Sequence, residues 1–283
     1  TYLVYSGQHD SMGTQMLDVF GLKPDHSFAL DQFQDRTLGW VTAALLQKFT
    51  DGFQQIKPSL VLSHGDNVTG FASALAAYYL KIPVGHVEAG LRTSRFETPN
   101  PEEGIRRMIS RITTLHFAPT QSALRNLYDE NIIKNVFVTG NTVVDALNFV
   151  LKKPDTQRYC NLSERTNRKN KLIIVTCHRR ESWGAPLIKL CETIKEFLRR
   201  HSDVTVLIPV HANPTVAAVI NESLGNTPNV ILEPSVDYET FIKLLDRSWF
   251  IVTDSGGIIE EASTLGKPTL ILRDEIERPE ALE

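Results

Sequence analysis

Three carboxylates fall where proton chemistry would need them. Ser63-His64-Gly65-Asp66 follows an apolar run and puts Asp66 in a loop at the carboxyl end of a strand, and Gly85-His86-Val87-Glu88-Ala89-Gly90 does the same for Glu88. After a loop holding Pro99 and Pro101, Glu102 and Glu103 open a helix, whose first turn favours negative charge in any case. Each acid has a plain structural account: Asp66 as a helix N-cap, Glu88 as the partner of Arg92, Glu102 as a complement to the helix dipole. Together, on one expected rim, they suit proton removal and delivery, because acids held in unequal environments can split those two tasks.

The second half carries the groups for an anion. Thr253-Asp254-Ser255-Gly256-Gly257-Ile258-Ile259-Glu260-Glu261 reads as an apolar strand running into two glycines and a helix. The Ser255 hydroxyl is expected to cap that helix, while Gly256 and Gly257 let backbone N–H groups approach a diphosphate without a Cβ in the way. Glu261 follows about one turn after Gly257, where a carboxylate can grip a ribose diol. Cys177-His178-Arg179-Arg180-Glu181 follows another strand. It directs His178 toward the same region, with Arg179 and Arg180 to balance phosphate charge. The plain reading of the first segment is a strand, a turn and a capped helix, and that of His178 is a structural histidine.

The elements that must position these residues alternate short β-rich runs with longer helical patterns, the mark of parallel sheets covered by helices. The fold class is α/β. Strands are expected at 3–6, 59–63, 83–87, 115–118, 136–139, 172–176, 204–209, 230–232, 250–253 and 269–272. Helical periodicity lies between them: Leu38, Val41, Leu45, Phe49 and Phe53 recur at three- and four-residue steps, as do Leu187, Leu190, Ile194 and Leu198. Residues 152–170 hold Pro154, several charges and little that could be buried, and read as a linker. The expected organisation is therefore a domain over 1–151 with the catalytic carboxylates, a linker over 152–170, and a domain over 171–283 that binds the nucleotide. Both are doubly wound and Rossmann-like, and they face a central cleft. Ligands of such sheets bind beyond the carboxyl ends of the strands.

Composition narrows the classes further. With 283 residues, 42% hydrophobic and 22% charged, the chain can bury two cores. A net charge of -3 with scattered Lys and Arg argues against a nucleic-acid partner. Cys160, Cys177 and Cys191 are odd in number and lack CxxC spacing, which fits neither a disulfide framework nor a zinc site and suits a reducing cytoplasm. No run of about eighteen apolar residues exists, so no membrane partner is expected. Neither GxGxxG nor GxxxxGK[ST] occurs, which removes the main support for nicotinamide or P-loop chemistry.

The runs HGDN (64–67), GHVEAGLRT (85–93), PEE (101–103), TGNTVVDAL (139–147), HRRES (178–182), PVHANP (209–214), TDSGGIIEEASTLGKP (253–268) and ERPEAL (277–282) resemble the UDP-N-acetylglucosamine 2-epimerase family, in its order and across essentially the whole chain. The resemblance implies a GT-B arrangement and a homodimer. It also implies interconversion of UDP-GlcNAc and UDP-ManNAc with no metal and no cofactor, by anti elimination of UDP and re-addition through 2-acetamidoglucal. By motif, it implies Asp66, Glu88 and Glu102 as the acid/base group, with His178 near the glycosidic oxygen and phosphate. It implies Ser255, Gly256, Gly257, Glu261 and Arg278 as UDP contacts, with Arg179 and His211 lining the same site. Gln8 and His9 fall where substrate-activated members carry an allosteric motif.

Two departures stand beside the matches. Family members begin with a further strand and a GTRPE-type loop and continue past ERPE. This chain opens at Thr1 in a strand and closes at Glu283, and so reads as a fragment lacking one strand of each sheet. The alternatives to the epimerase are a hydrolysing relative that releases ManNAc, a UDP-sugar glycosyltransferase, and an inactive UDP-sugar-binding fragment. A glycosyltransferase has no need of HGD, HVEAG and PEE together.

Overall fold

The computed structural model of the chain describes residues 1–7, 10–28, 37–93, 95–97, 99–167, 169–177, 179, 182–211 and 213–273, with backbone alone at 10–12. It divides into two compact units, Thr1–Asn141 and Thr142–Glu283.

The first unit runs β1 (Val4–Tyr5), α1 (Asp10–Phe20), β2 (His26–Ser27), α2 (Leu38–Ile56), β3 (Val61–His64), α3 (Val68–Tyr79), β4 (Val84–Val87), α4 (Glu102–Ile112), β5 (Leu115–Ala118), α5 (Gln121–Asp129) and β6 (Val136–Val138). Strands β3-β4-β5-β6 form a parallel sheet in that order, and β1 pairs with β2. Side chains alternate across a strand, so Val61 and Ser63 of β3 are buried while Leu62 and His64 are exposed. Helix α2 buries Leu45, Phe49 and Phe53, as the helical spacing predicts, and Leu38 in its first turn stays exposed. Thr37 caps that helix by accepting from Trp40 N–H. The alanine-rich α3 packs closely on α2, because Ala72, Ala74, Ala76 and Ala77 bury almost no bulk.

Gly90, after β4, is dictated by close approach. Its φ is +88°, and a Cβ there would lie 2.2 Å from the Ala123 carbonyl oxygen at the start of α5. No other residue fits that point without moving α5.

The second unit runs α6 (Thr142–Leu151), α7 (Gln157–Arg165), β7 (Lys171–Thr176), α8 (Ala185–Arg200), β8 (Val204–Pro209), α9 (Pro214–Leu224), β9 (Val230–Glu233), α10 (Tyr238–Arg247), β10 (Phe250–Thr253), α11 (Gly256–Thr264) and β11 (Thr269–Ile271). All five strands are parallel in the order β11-β10-β7-β8-β9. The chain winds outward from β7 to β9, then returns to the other side of β7 with β10. The carboxyl ends of β7 and β10 therefore mark the switch point at which doubly wound sheets bind ligands. Leu187, Cys191, Ile194 and Leu198 of α8 form the buried stripe.

All ten expected strands occur, and the short β2 is an addition. The boundary between compact units lies between Asn141 and Thr142 rather than after residue 151, because Leu147 and Val150 of α6 are buried and that helix packs on α10 and α11. Residues 152–170 contain α7 rather than an extended linker. Leu162 is buried there, Thr156 Oγ1 lies 3.0 Å from Thr240 Oγ1, and Lys243 Nζ donates to Asp155 Oδ1 at 2.6 Å. No helix among the described residues is long and apolar enough to cross a membrane. The three cysteines are free thiols.

Candidate active site

In the first unit the chain leaves β3 at His64 and turns through Gly65, whose φ is +71°. The N-cap of α3 is Asn67, which accepts from Gly70 N–H at 2.8 Å, so the capping account of Asp66 does not hold. The Asp66 carboxylate turns to α4 instead. Its Oδ2 accepts from Arg106 Nε at 3.1 Å and from Arg106 Nη2. Arg106 Nη1 in turn donates to Glu103 Oε2 at 3.0 Å. Glu103, 0% exposed, is the hub of this network: Oε2 also accepts from Thr93 N–H at 3.1 Å, and Oε1 accepts from Arg107 Nε at 2.7 Å. Two neighbouring acids thus divide the work. Glu103 is consumed by structural bonds, and Glu102, partly exposed beside it, opens the first turn of α4.

Glu88 leaves β4 with φ +69°, an uncommon conformation for a side chain of its size. Arg92 is not its partner. Arg92 is committed to Glu130 through Nε–Oε1 at 2.7 Å and Nη2–Oε2 at 3.0 Å, and that bond holds the Glu130 carboxyl below its ordinary range. Glu88 instead meets Asn141 Nδ2 at 3.4 Å through Oε1 and His64 Nε2 at 3.8 Å through Oε2. A Cβ placed on Gly65 would lie 3.5 Å from Glu88 Oε2, so the Glu88 carboxylate lies against the turn that carries Asp66. The Glu88 carboxylate thus sits beside the turn that precedes Asp66, and Glu102 begins the helix to which Asp66 is bonded.

In the second unit the loops after β7 and β10 are joined. Thr176 and Thr253 are register partners with hydroxyls 2.6 Å apart, and the buried Asp254 accepts from Arg179 N–H at 2.9 Å through Oδ2. Burial, with Asp254 nearby, pushes the Cys177 thiol up to about 12, so it is protonated and no nucleophile. Ser255 begins α11 in extended geometry but makes no side-chain capping bond; its own N–H donates to Thr253 Oγ1 at 3.0 Å. The expected capping role is therefore corrected, and the result favours an anion: the first N–H groups of α11 are not taken up by the Ser255 hydroxyl. A Cβ on Gly257 would meet nothing within 4 Å, which leaves open space at the helix start.

Glu261, on the first turns of α11, is buried, and burial raises its carboxyl to about 7 against the opposing effect of the Tyr238 hydroxyl bond. His211 follows β8; its Nδ1 accepts from Asn213 N–H at 3.0 Å, and its ring meets Trp183 edge-on at 5.6 Å. His178, Arg278, Gln8 and His9 lie outside the described residues.

Four residues that the spacing of chemical groups did not single out contact these groups within their own units: Arg106 and Glu103 in the first, Asp254 and Tyr238 in the second. Arg106 was detectable as a cation one turn after Glu102 and Glu103 on a helix with otherwise good amphipathic pattern. Asp254 and Tyr238 act across the fold and left no local signal.

The family model for UDP-N-acetylglucosamine 2-epimerase matches residues 1–283. The Salmonella typhimurium UDP-N-acetylglucosamine 2-epimerase is 42% identical over 284 residues, which cover 98% of this chain and 75% of that protein. The crystal structure of the Neisseria meningitidis UDP-GlcNAc 2-epimerase bound to UDP-GlcNAc superposes with a TM-score of 0.89 at 41% identity, covering 97% of this chain and 75% of that one. The S. aureus MnaA–UDP structure does so with a TM-score of 0.86 at 36% identity, covering 94% and 70%. The two units, each an α/β unit built on a parallel sheet, are of the GT-B type, and of the two larger sheets only the second reverses its strand order. With HGDN and HVEAG at the ends of adjacent strands and the diglycine turn at a switch point, these matches make this chain a member of the UDP-N-acetylglucosamine 2-epimerase family.

Proposed function

We propose that the chain interconverts UDP-GlcNAc and UDP-ManNAc by anti elimination of UDP and re-addition through 2-acetamidoglucal, the non-hydrolysing course. The observation that carries the reading is the placement of Glu88 against the Gly65 turn that leads into Asp66, which sets two carboxylates with unlike partners at the carboxyl ends of adjacent strands. The sugar C2 proton is not acidic, so direct deprotonation is slow. Breaking the C1–O bond to UDP shifts the difficulty onto the leaving group, whose charge the start of α11, together with Arg179 and Arg278, stabilises in this reading. Ser255, Gly256 and Gly257 take the diphosphate in this reading, Glu261 takes the ribose diol, and Arg179, His211 and Arg278 complete the nucleotide site. Asp66, Glu88, Glu102 and His178 handle the protons at C2 and at the departing oxygen. Positioned acid/base groups contribute about 100- to 10,000-fold, so leaving-group stabilisation supplies much of the rest.

The first unit is accordingly the sugar side and the second the UDP side, and the chain works as a homodimer in the cytoplasm. Proton NMR of the chain with UDP-GlcNAc in deuterated water tests the reading. UDP-ManNAc carrying deuterium at C2 supports it; free ManNAc with UDP would assign the chain to the hydrolysing branch, and an unchanged substrate would overturn the activity.

A further inference from the structure

Two histidines lie in register on adjacent central strands, His86 on β4 and His116 on β5. Both are buried, at 0% and 3% exposure, and among the described residues the Nδ1 of each has no hydrogen-bond partner. Such an atom is costly to bury, and a leucine would fill the same space without it. Packing therefore gives no reason for an imidazole at His86. Its Nε2 does: that atom lies 2.8 Å from the Gly65 carbonyl oxygen. The Gly65 N–H, in turn, donates to the Val87 carbonyl at 3.1 Å. Both backbone groups of Gly65 are thus tied to β4, the strand that ends in Glu88, and Gly65 is the residue before Asp66.

We infer that His86 is a positioning residue, which clamps the Gly65 turn to β4 and so fixes the separation of the Asp66 and Glu88 carboxylates. The inference rests on the acid/base roles proposed for those two residues. A carbonyl oxygen only accepts, so Nε2 must carry the proton and donate. Burial, opposed by that bond and reinforced by His116, Arg92 and His64, lowers the imidazole to about 4 and keeps it neutral. Neutrality leaves one N–H, and the Gly65 bond determines which nitrogen holds it.

The test compares His86→Leu with His116→Leu in the whole chain. The second variant removes a buried ring from the next strand that makes no bond to Gly65. His86→Leu is expected to lower kcat about 100-fold, the effect of a displacement on the order of 1 Å at a reacting group, with KM and UDP affinity within about three-fold. His116→Leu is expected to keep kcat within about three-fold, and His86→Gln, which can still donate, to recover part of the loss. Equal losses of kcat in both leucine variants, or none in His86→Leu, would overturn the inference. Nitrogen-15 spectra of the wild-type imidazoles test the clamp without turnover. They should show His86 as the neutral Nε2–H tautomer between about pH 6 and 8, and an Nδ1–H tautomer or a titration in that range would overturn it. A wild-type chain that leaves UDP-GlcNAc unchanged while His86 shows the expected tautomer would refute the proposed activity and leave the clamp standing.

Discussion

Arg106 joins Asp66 to Glu103: its Nε donates to Asp66 Oδ2 at 3.1 Å while Nη1 donates to Glu103 Oε2 at 3.0 Å. One guanidinium therefore bonds a carboxylate at the end of β3 to another inside α4. The planar fork serves both carboxylates through three bonds that a single ammonium nitrogen cannot reproduce in the same geometry, so Arg106→Lys preserves the charge and loses at least one of them. The expected outcome is a fall in kcat of about 10- to 100-fold from a displaced Asp66. UDP affinity, measured by calorimetry, should stay unchanged, and an equal loss of both would place Arg106 in nucleotide binding instead.

Glu102 and Glu103 should separate cleanly into function and stability. Glu102→Gln is expected to remove turnover while leaving UDP affinity within about three-fold and the denaturant midpoint unmoved, since Glu102 is partly exposed. Glu103→Ala strands the buried Arg106 and the Thr93 N–H, and breaking a buried pair in this way costs about 3 to 5 kcal/mol. Urea unfolding of the two variants checks the division.

Glu261 predicts a pH dependence on the nucleotide side. Ribose hydroxyls donate, so the ionised carboxylate is the binding form. UDP affinity should then rise as pH increases through about 7, with protons released on binding near that pH. Calorimetry in buffers of different ionisation enthalpy measures the release. For stability the sign is opposite. The folded state holds the Glu261 proton more tightly than the unfolded chain, so stability falls as pH rises from the ordinary glutamate value to about 7. Glu261→Gln should flatten that fall, and Glu261→Ala should mainly weaken UDP binding.

His86 and His116 predict acid sensitivity. Burial lowers both imidazoles to about 4 in the folded state, so between about 6.5 and 4 the unfolded chain binds protons that the folded chain does not. Stability should therefore drop as pH falls through that window. His116→Phe should reduce the slope measured by thermal unfolding across it, and an unchanged slope would mean that His116 titrates normally.

Several parts of this molecule were legible in the residue order because their causes are local. The strand-then-loop placement of Asp66 and Glu88, the diglycine turn at the head of α11 and the alternating β and α pattern each depend on a few neighbouring residues. The boundary between units was less so, since the burial of Leu147, Val150 and Leu162 depends on α10 and α11, which come about a hundred residues later. The helix in 152–170 was obscured by its charges, which find partners such as Glu233 and Asp237 only after folding.

By itself the sequence determined the α/β class, nearly every strand, the family and the residue types at the site, because periodicity and motif spacing are carried along the chain. The tertiary structure alone decided which partners each carboxylate takes. Asn67 takes the cap that Asp66 could have filled, Glu130 takes the arginine that Glu88 could have paired with, and Glu103 is buried in structural bonds while Glu102 stays partly exposed. Each decision depends on distances between elements brought together by packing, and no spacing along the chain encodes those distances.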